Sequence, residues 1–175
     1  MSTRNRAWIA ATAIALATSG AEAEGPGLGV PLAPGEIPRF ASVVLPDGAG
    51  LPPGRGTARE GASIYAAKCA RCHGVTGTEG PIQPPVAPAR QYAKPAGRHW
   101  PHATTLFDYT KRAMPFDAPK SLSDDEAYAV VAWILYRNGL VAEDEIVDAK
   151  SLPRVEMPNR SNTIDLYERQ GEKPY

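Results

Sequence analysis

The sequence has no excess of either charge: 19 Lys and Arg stand against 19 Asp and Glu. That balance gives no reason to expect a nucleic-acid or acidic-lipid partner. It also lacks an apolar run of the roughly 20 residues that a membrane-spanning helix needs. Internal repeats and low-complexity runs are absent, and 175 residues leave no room for two comfortable domains. Cysteine is scarcest of the reactive residues, with two copies, Cys69 and Cys72. Two cysteines cannot complete a structural zinc site, which takes four protein ligands, so zinc would need His73, His99 or His102 as well.

What the chain does have is proline and glycine, 18 and 16 copies, which implies much loop and extended arm. At the start, Arg4 and Arg6 precede the apolar stretch Ala7 to Thr18 and the small-x-small triplet Ala21-Glu22-Ala23. This is the pattern of a secretory signal over residues 1–23, cleaved near Glu24, with no membrane span after cleavage. The two arginines are not adjacent, so the general secretory route to the periplasm is expected. Residues 24–56 read as a Pro/Gly-rich arm in which only Phe40 to Leu45 is apolar enough for a short strand.

The compact domain is expected over 57–140. Thr57-Ala58-Arg59-Glu60 has the capping-box form and predicts a helix from about Ala58 to Ala70, with Gly61, Ile64, Tyr65 and Lys68 on one side. Residues 74–102 are too rich in proline for a helix interior and read as loop. Ala103 to Ala113 reads as a short helix stopped by Met114-Pro115. A second capping box, Ser123 to Glu126, opens a helix from Asp124 to Arg137 that is apolar round most of its surface and ends at Asn138-Gly139. A helix of that kind must be packed on several sides. Residues 141–175 read as a polar, Pro-punctuated C-terminal arm.

The stretch KCARCHG, residues 68–74, carries the chemistry. A zinc reading suffers because His73 sits directly beside Cys72, which is poor geometry for one tetrahedral ion. A thioredoxin-like dithiol needs a strand-rich α/β core, and no strand pattern separates these helices. Covalent haem explains more. Two cysteines three apart on a helical turn present both sulfurs to one porphyrin edge, and the adjacent histidine turns its ring to the iron. Export agrees, because this attachment takes place outside the cytoplasm.

The sixth iron ligand then decides between small-molecule binding and electron transfer. Met1 leaves with the signal, and Met157 lies in the C-terminal arm, where a packed or exposed thioether is expected. Met114, between a short helix and the final one and stiffened by Pro115, is the expected ligand. His99 and His102 offer a bis-histidine alternative that requires both loop histidines to be specific. Lys68, Arg71, Lys111, Arg112 and Lys120 surround these segments and could form a basic rim that steers an acidic partner.

From Thr57 to Leu140 the sequence resembles the small class I c-type cytochromes. The resemblance implies an all-α fold of a few helices around one covalently attached haem c, with extended N- and C-terminal arms. It further implies His73/Met114 axial ligation, and a crossing of first and last helices where Gly61 and Tyr65 meet Trp133. A loop proline, Pro81 or Pro84, would accept the His73 ring N–H, and Trp100 would bond a haem propionate or line the pocket. The stretches LPDGAGLPPGRGT (45–57), WPHATTLFDYTKRAMPFDAPKSLSDDEAYAVVAWILYRNGLV (100–141) and MPNR (157–160) are similar to the cytochrome subunits of periplasmic molybdenum-dependent sulfur-oxidising dehydrogenases, the Sox sulfane dehydrogenase and sulfite dehydrogenases. That similarity implies an electron-transfer subunit, not catalytic by itself. Its electrons would come from the molybdenum subunit and pass to a downstream cytochrome c or oxidase. The alternatives are a free periplasmic carrier with several partners and a haem enzyme acting directly on thiosulfate.

Overall fold

A computed structural model describes residues 29–36, 43–87 and 94–163; the signal segment 1–23 falls outside them. In chain order the elements are β1 (Arg55–Gly56), α1 (Ala58–Lys68), α2 (Ala70–His73), α3 (Ala96–His99), α4 (Ala103–Ala113), α5 (Asp124–Arg137) and β2 (Val147–Asp148), then 3-10 turns at Leu152–Arg154 and Arg160–Asn162. Among the described residues the architecture is all-α with one minimal sheet, in which β1 pairs antiparallel with β2.

Both capping boxes form. The Thr57 hydroxyl accepts from the Glu60 amide at 3.3 Å while the Glu60 carboxylate accepts from the Thr57 amide at 2.8 Å. Ser123 and Glu126 repeat the exchange at 3.1 and 2.9 Å. These bonds satisfy amides that have no partner inside the first turn, and so fix where α1 and α5 begin. Helices α4 and α5 have the bounds their sequence predicts. Helix α1 ends two residues early, because Cys69 leaves helical geometry at φ −121°, ψ −36°. The turn then restarts as α2, with the Cys69 carbonyl accepting from the amides of Cys72 and His73 at 3.1 and 3.0 Å.

Helix α5 is the centre of the core: Ala127 to Leu135 is an unbroken buried run. Helix α1 crosses it at Gly61, where a Cβ would stand 1.9 Å from the Ala129 carbonyl oxygen. One turn on, Tyr65 stacks on Trp133 with ring centroids 3.7 Å apart, which is the crossing the sequence implies. Helix α4 covers another side of α5 through Phe107 and Tyr128, centroids 4.4 Å apart.

Three expectations change. No strand forms over 43–45, and 40–42 lie outside the described residues; the extended pairing falls at Arg55–Gly56 instead. The 74–102 loop contains α3, which begins directly after Pro95, where proline's fixed φ is compatible with a helix start. The C-terminal arm is not simply a polar tail. Val147, Leu152 and Met157 are each at most 3% exposed and join the core. Three apolar residues spaced through a polar stretch carry no helical or strand periodicity, so their burial is invisible to pattern reading. Leu152→Ala should therefore lower the unfolding free energy by about 2–4 kcal/mol, the cost of a core cavity. Denaturant titration of the intact protein checks this, and a change under about 0.5 kcal/mol, typical of surface positions, would mean the arm is not part of the core.

Candidate functional site

The short helix α2 and the hinge before it bring Cys69, Cys72 and His73 to one cavity of about 430 Å³. Met114, at the C-terminal end of α4, lines the same cavity. The Met114–Pro115 peptide bond is cis. Leu106, Val130 and Ile134 supply apolar walls from α4 and α5, with Trp100 set edge-on to Tyr109 at 5.2 Å. The volume lies within the usual range of cofactor sites, as does the mixture of apolar lining and few polar groups. Met157 is buried in the core and is not among the lining residues, as the sequence predicts. His99 and His102 do not line the cavity either; the His99 carbonyl instead accepts from Asn159 at 2.6 Å.

The donor set can be tested against haem through the state of each group. Neither cysteine is in a disulfide, and burial pushes the Cys69 thiol up to about 11. The ring of His73 has Nδ1 at 2.8 Å from the Gln83 carbonyl oxygen, which can only accept. Nδ1 therefore carries the proton, leaving Nε2 as the nitrogen with a free lone pair for a metal. Two cysteines outside any disulfide, a tautomer-locked histidine and a thioether in an apolar cavity fit a covalently held haem. Among the described residues no group of three or more His, Cys, Asp or Glu side chains is gathered to hold a bare metal ion.

The acceptor for His73 corrects the expectation of Pro81 or Pro84. Amides of Gly80 and Ile82 bond back to the carbonyls of His73 and Cys72 at 3.3 and 3.2 Å, folding this loop over the motif. In that register the carbonyl facing the ring belongs to Gln83, and Pro84 follows it into the interior. The Gln83 side chain ties across to the Lys94 carbonyl at 2.8 Å. Nothing in the residue type could have revealed this role, since a backbone carbonyl performs it.

The expected basic rim is also changed. Lys68 pairs with Glu126 at 2.6 Å, Lys111 with Asp124 at 2.7 Å, Arg71 with Asp117 and Arg112 with Asp108. The acidic first turn of α5, distant in sequence, packs beside the ends of α1 and α4 and neutralises their cations. Hydrogen bonding from Lys68 in turn holds the Glu126 carboxyl below its ordinary pKa. With four of the rim's five cations paired, Lys120 being the exception among the described residues, this face should not steer strongly. Electron-transfer rates should change by less than about threefold between low and high salt, against the 10- to 1,000-fold effects of charge-steered encounters. Stopped-flow rates across an ionic-strength series give the answer, and a steep decline would restore the rim.

Residues 56–134 match the family model described as cytochrome C oxidase, cbb3-type, subunit III. Among solved structures, the chain is similar to one in the crystal structure of the sulfane dehydrogenase SoxCD from Paracoccus pantotrophus. The TM-score is 0.70 and the identity 34%, covering 86% of this chain and 80% of that one. A search of curated proteins gave no match. Fold and cavity together define a class I c-type cytochrome, an electron-transfer protein with covalent haem c. Within that class the chain belongs to the Sox-like cytochrome subunit family, represented by the SoxCD relative.

Proposed function

We propose that the chain is a monohaem electron-transfer subunit, working in the periplasm, that takes electrons from a molybdenum-containing sulfite or sulfane dehydrogenase and passes them to a downstream cytochrome c or oxidase. The observation carrying this reading is the meeting of Cys69, Cys72, His73 and Met114 in one apolar cavity, in a chain similar to a SoxCD chain over most of its length. Cys69 and Cys72 would hold the haem c through thioether links, and His73 and Met114 would ligate its iron. Haem c bound there supplies a one-electron iron couple, with thioether ligation and burial favouring the reduced state. The protein's own part is to hold that group rigidly, exclude water with Leu106, Val130 and Ile134, and keep the His73 proton on Nδ1.

The domain is assigned to residues 57–140, with arms over 24–56 and 141–175 that follow the cleaved signal. Described parts of both arms pack on the domain: in the N-terminal arm the Val44 amide donates to Asp108 at 3.2 Å and the Pro52 carbonyl accepts from Tyr128 at 2.8 Å, and in the C-terminal arm Leu152 and Met157 are buried in the core. That packing favours a second reading, a free carrier whose arms cover only itself. Against it, Phe116 is 83% and Ile82 52% exposed at the cavity mouth, an apolar face suited to a partner docked by contact rather than charge.

The test is to tag the mature protein, recover it from the periplasm of its native host and compare molybdenum with haem iron in the eluate. Near-equal amounts support the dehydrogenase subunit. Haem without molybdenum, also after mild cross-linking, would leave the free carrier.

A further inference from the structure

The buried side chain of Asn138, the C-cap of α5, makes three hydrogen bonds that the cavity itself does not require. Its Nδ2 donates to the carbonyls of Ile134 at 2.8 Å and Pro85 at 3.2 Å, and its Oδ1 accepts from the Ala87 amide at 3.1 Å. The Pro85 carbonyl also accepts from the Gly97 amide at 3.0 Å. Gly97 is held so close that a Cβ there would stand 2.3 Å from Asn138 Nδ2. One side chain thus joins the end of α5, the 83–87 segment and α3, whose neighbours Gln83, Pro85, Ala96, Trp100 and Ile134 all line the cavity, although Asn138 does not.

We propose that Asn138 is a positioning residue for the proximal histidine: it clamps the 83–87 segment so that the Gln83 carbonyl stays on the His73 ring N–H, and thereby sets the basicity of the ligand nitrogen. The proposal rests on His73 being an iron ligand. A carbonyl held on Nδ1–H makes Nε2 a stronger donor, which favours the oxidised metal; loosening it does the reverse. An asparagine suits the task because one amide both donates and accepts, pinning Pro85 and Ala87 together. A hydrophobic residue of similar size would fill the space and pin neither.

The experiment compares Asn138→Ala with Leu152→Ala, a core variant not lining the cavity, in the haem-loaded protein. Asn138→Asp, which keeps only the acceptor, serves if the alanine variant does not fold. The first readout is exchange of the His73 Nδ1 proton by NMR, relative to the core amides of α5; the second is the reduction potential. In the Asn138 variants the ring proton should exchange about tenfold faster relative to those amides, and the potential should rise. If both readouts track Leu152→Ala, Asn138 is only a packing residue and the proposal fails. Replacing His73 in parallel tests the premise: an unchanged low-spin haem spectrum would remove His73 as ligand, and with it the proposal, whereas a changed spectrum leaves the Asn138 comparison decisive.

Discussion

Replacing Met114 by alanine should open the sixth position of the iron and lower the reduction potential by on the order of 100 mV or more, well inside the roughly 0.8 V that axial ligation spans. Met114 caps α4, its amide bonded to the Thr110 carbonyl at 3.2 Å, and its extended backbone turns it away from the helix toward the cavity shared with Cys69, Cys72 and His73. A thioether favours the reduced metal, so its loss disfavours reduction. An external ligand such as cyanide or imidazole should bind the variant readily. Met157→Ala is the paired control. That side chain is 3% exposed in the core, so its loss should destabilise the fold by about 2–5 kcal/mol and leave the potential alone. Spectroelectrochemistry on both variants separates the roles: an unchanged potential and spectrum in Met114→Ala removes Met114 from the iron.

Gly61→Ala should be among the most destabilising single substitutions in the chain. In an exposed helix interior, alanine in place of glycine gains up to about 1 kcal/mol from backbone entropy and propensity. Here the added Cβ would stand 1.9 Å from the Ala129 carbonyl oxygen and 3.0 Å from the Trp133 Cβ. The near neighbour is helix backbone, which cannot rotate away, so α1 and α5 must separate and the Tyr65–Trp133 stack opens. Overpacking costs typically about 1–3 kcal/mol and occasionally more, and a contact this short against helix backbone belongs at the upper end, which outweighs the propensity gain. For a domain near 100 residues that is a fall in melting temperature on the order of 10 °C. A thermal melt of the haem-loaded variant checks it; an equal or higher midpoint would mean that the helices do not meet at this glycine.

The parts of the molecule legible in the sequence are those specified within a few residues. Thr57 with Glu60 and Ser123 with Glu126 are local reciprocal hydrogen bonds, so both helix starts follow from the residues alone. Pro115 stops α4, and Asn138-Gly139 ends α5, for equally local reasons. The KCARCHG motif is likewise self-contained, since its spacing on one turn already presents two sulfurs and an imidazole together. The Gly61, Tyr65 and Trp133 crossing was reached through resemblance rather than local pattern, and it forms as implied.

What failed to show in the sequence involves partners distant along the chain. Acidic residues at 124 and 126 neutralise cations at 111 and 68 only because α5 packs between α1 and α4. Val147, Leu152 and Met157 are buried in an arm whose strand pairing with Arg55–Gly56 is too short to leave a pattern. The acceptor for His73 is a backbone carbonyl, which every residue possesses, and the loop register alone chooses Gln83 over its proline neighbours. The sequence by itself thus determined the chemistry, because cysteine, histidine and methionine have side chains whose reactivity is fixed by type. Tertiary structure decided how those groups are oriented and how their surroundings are charged, because orientation and charge pairing depend on atoms brought close by folding.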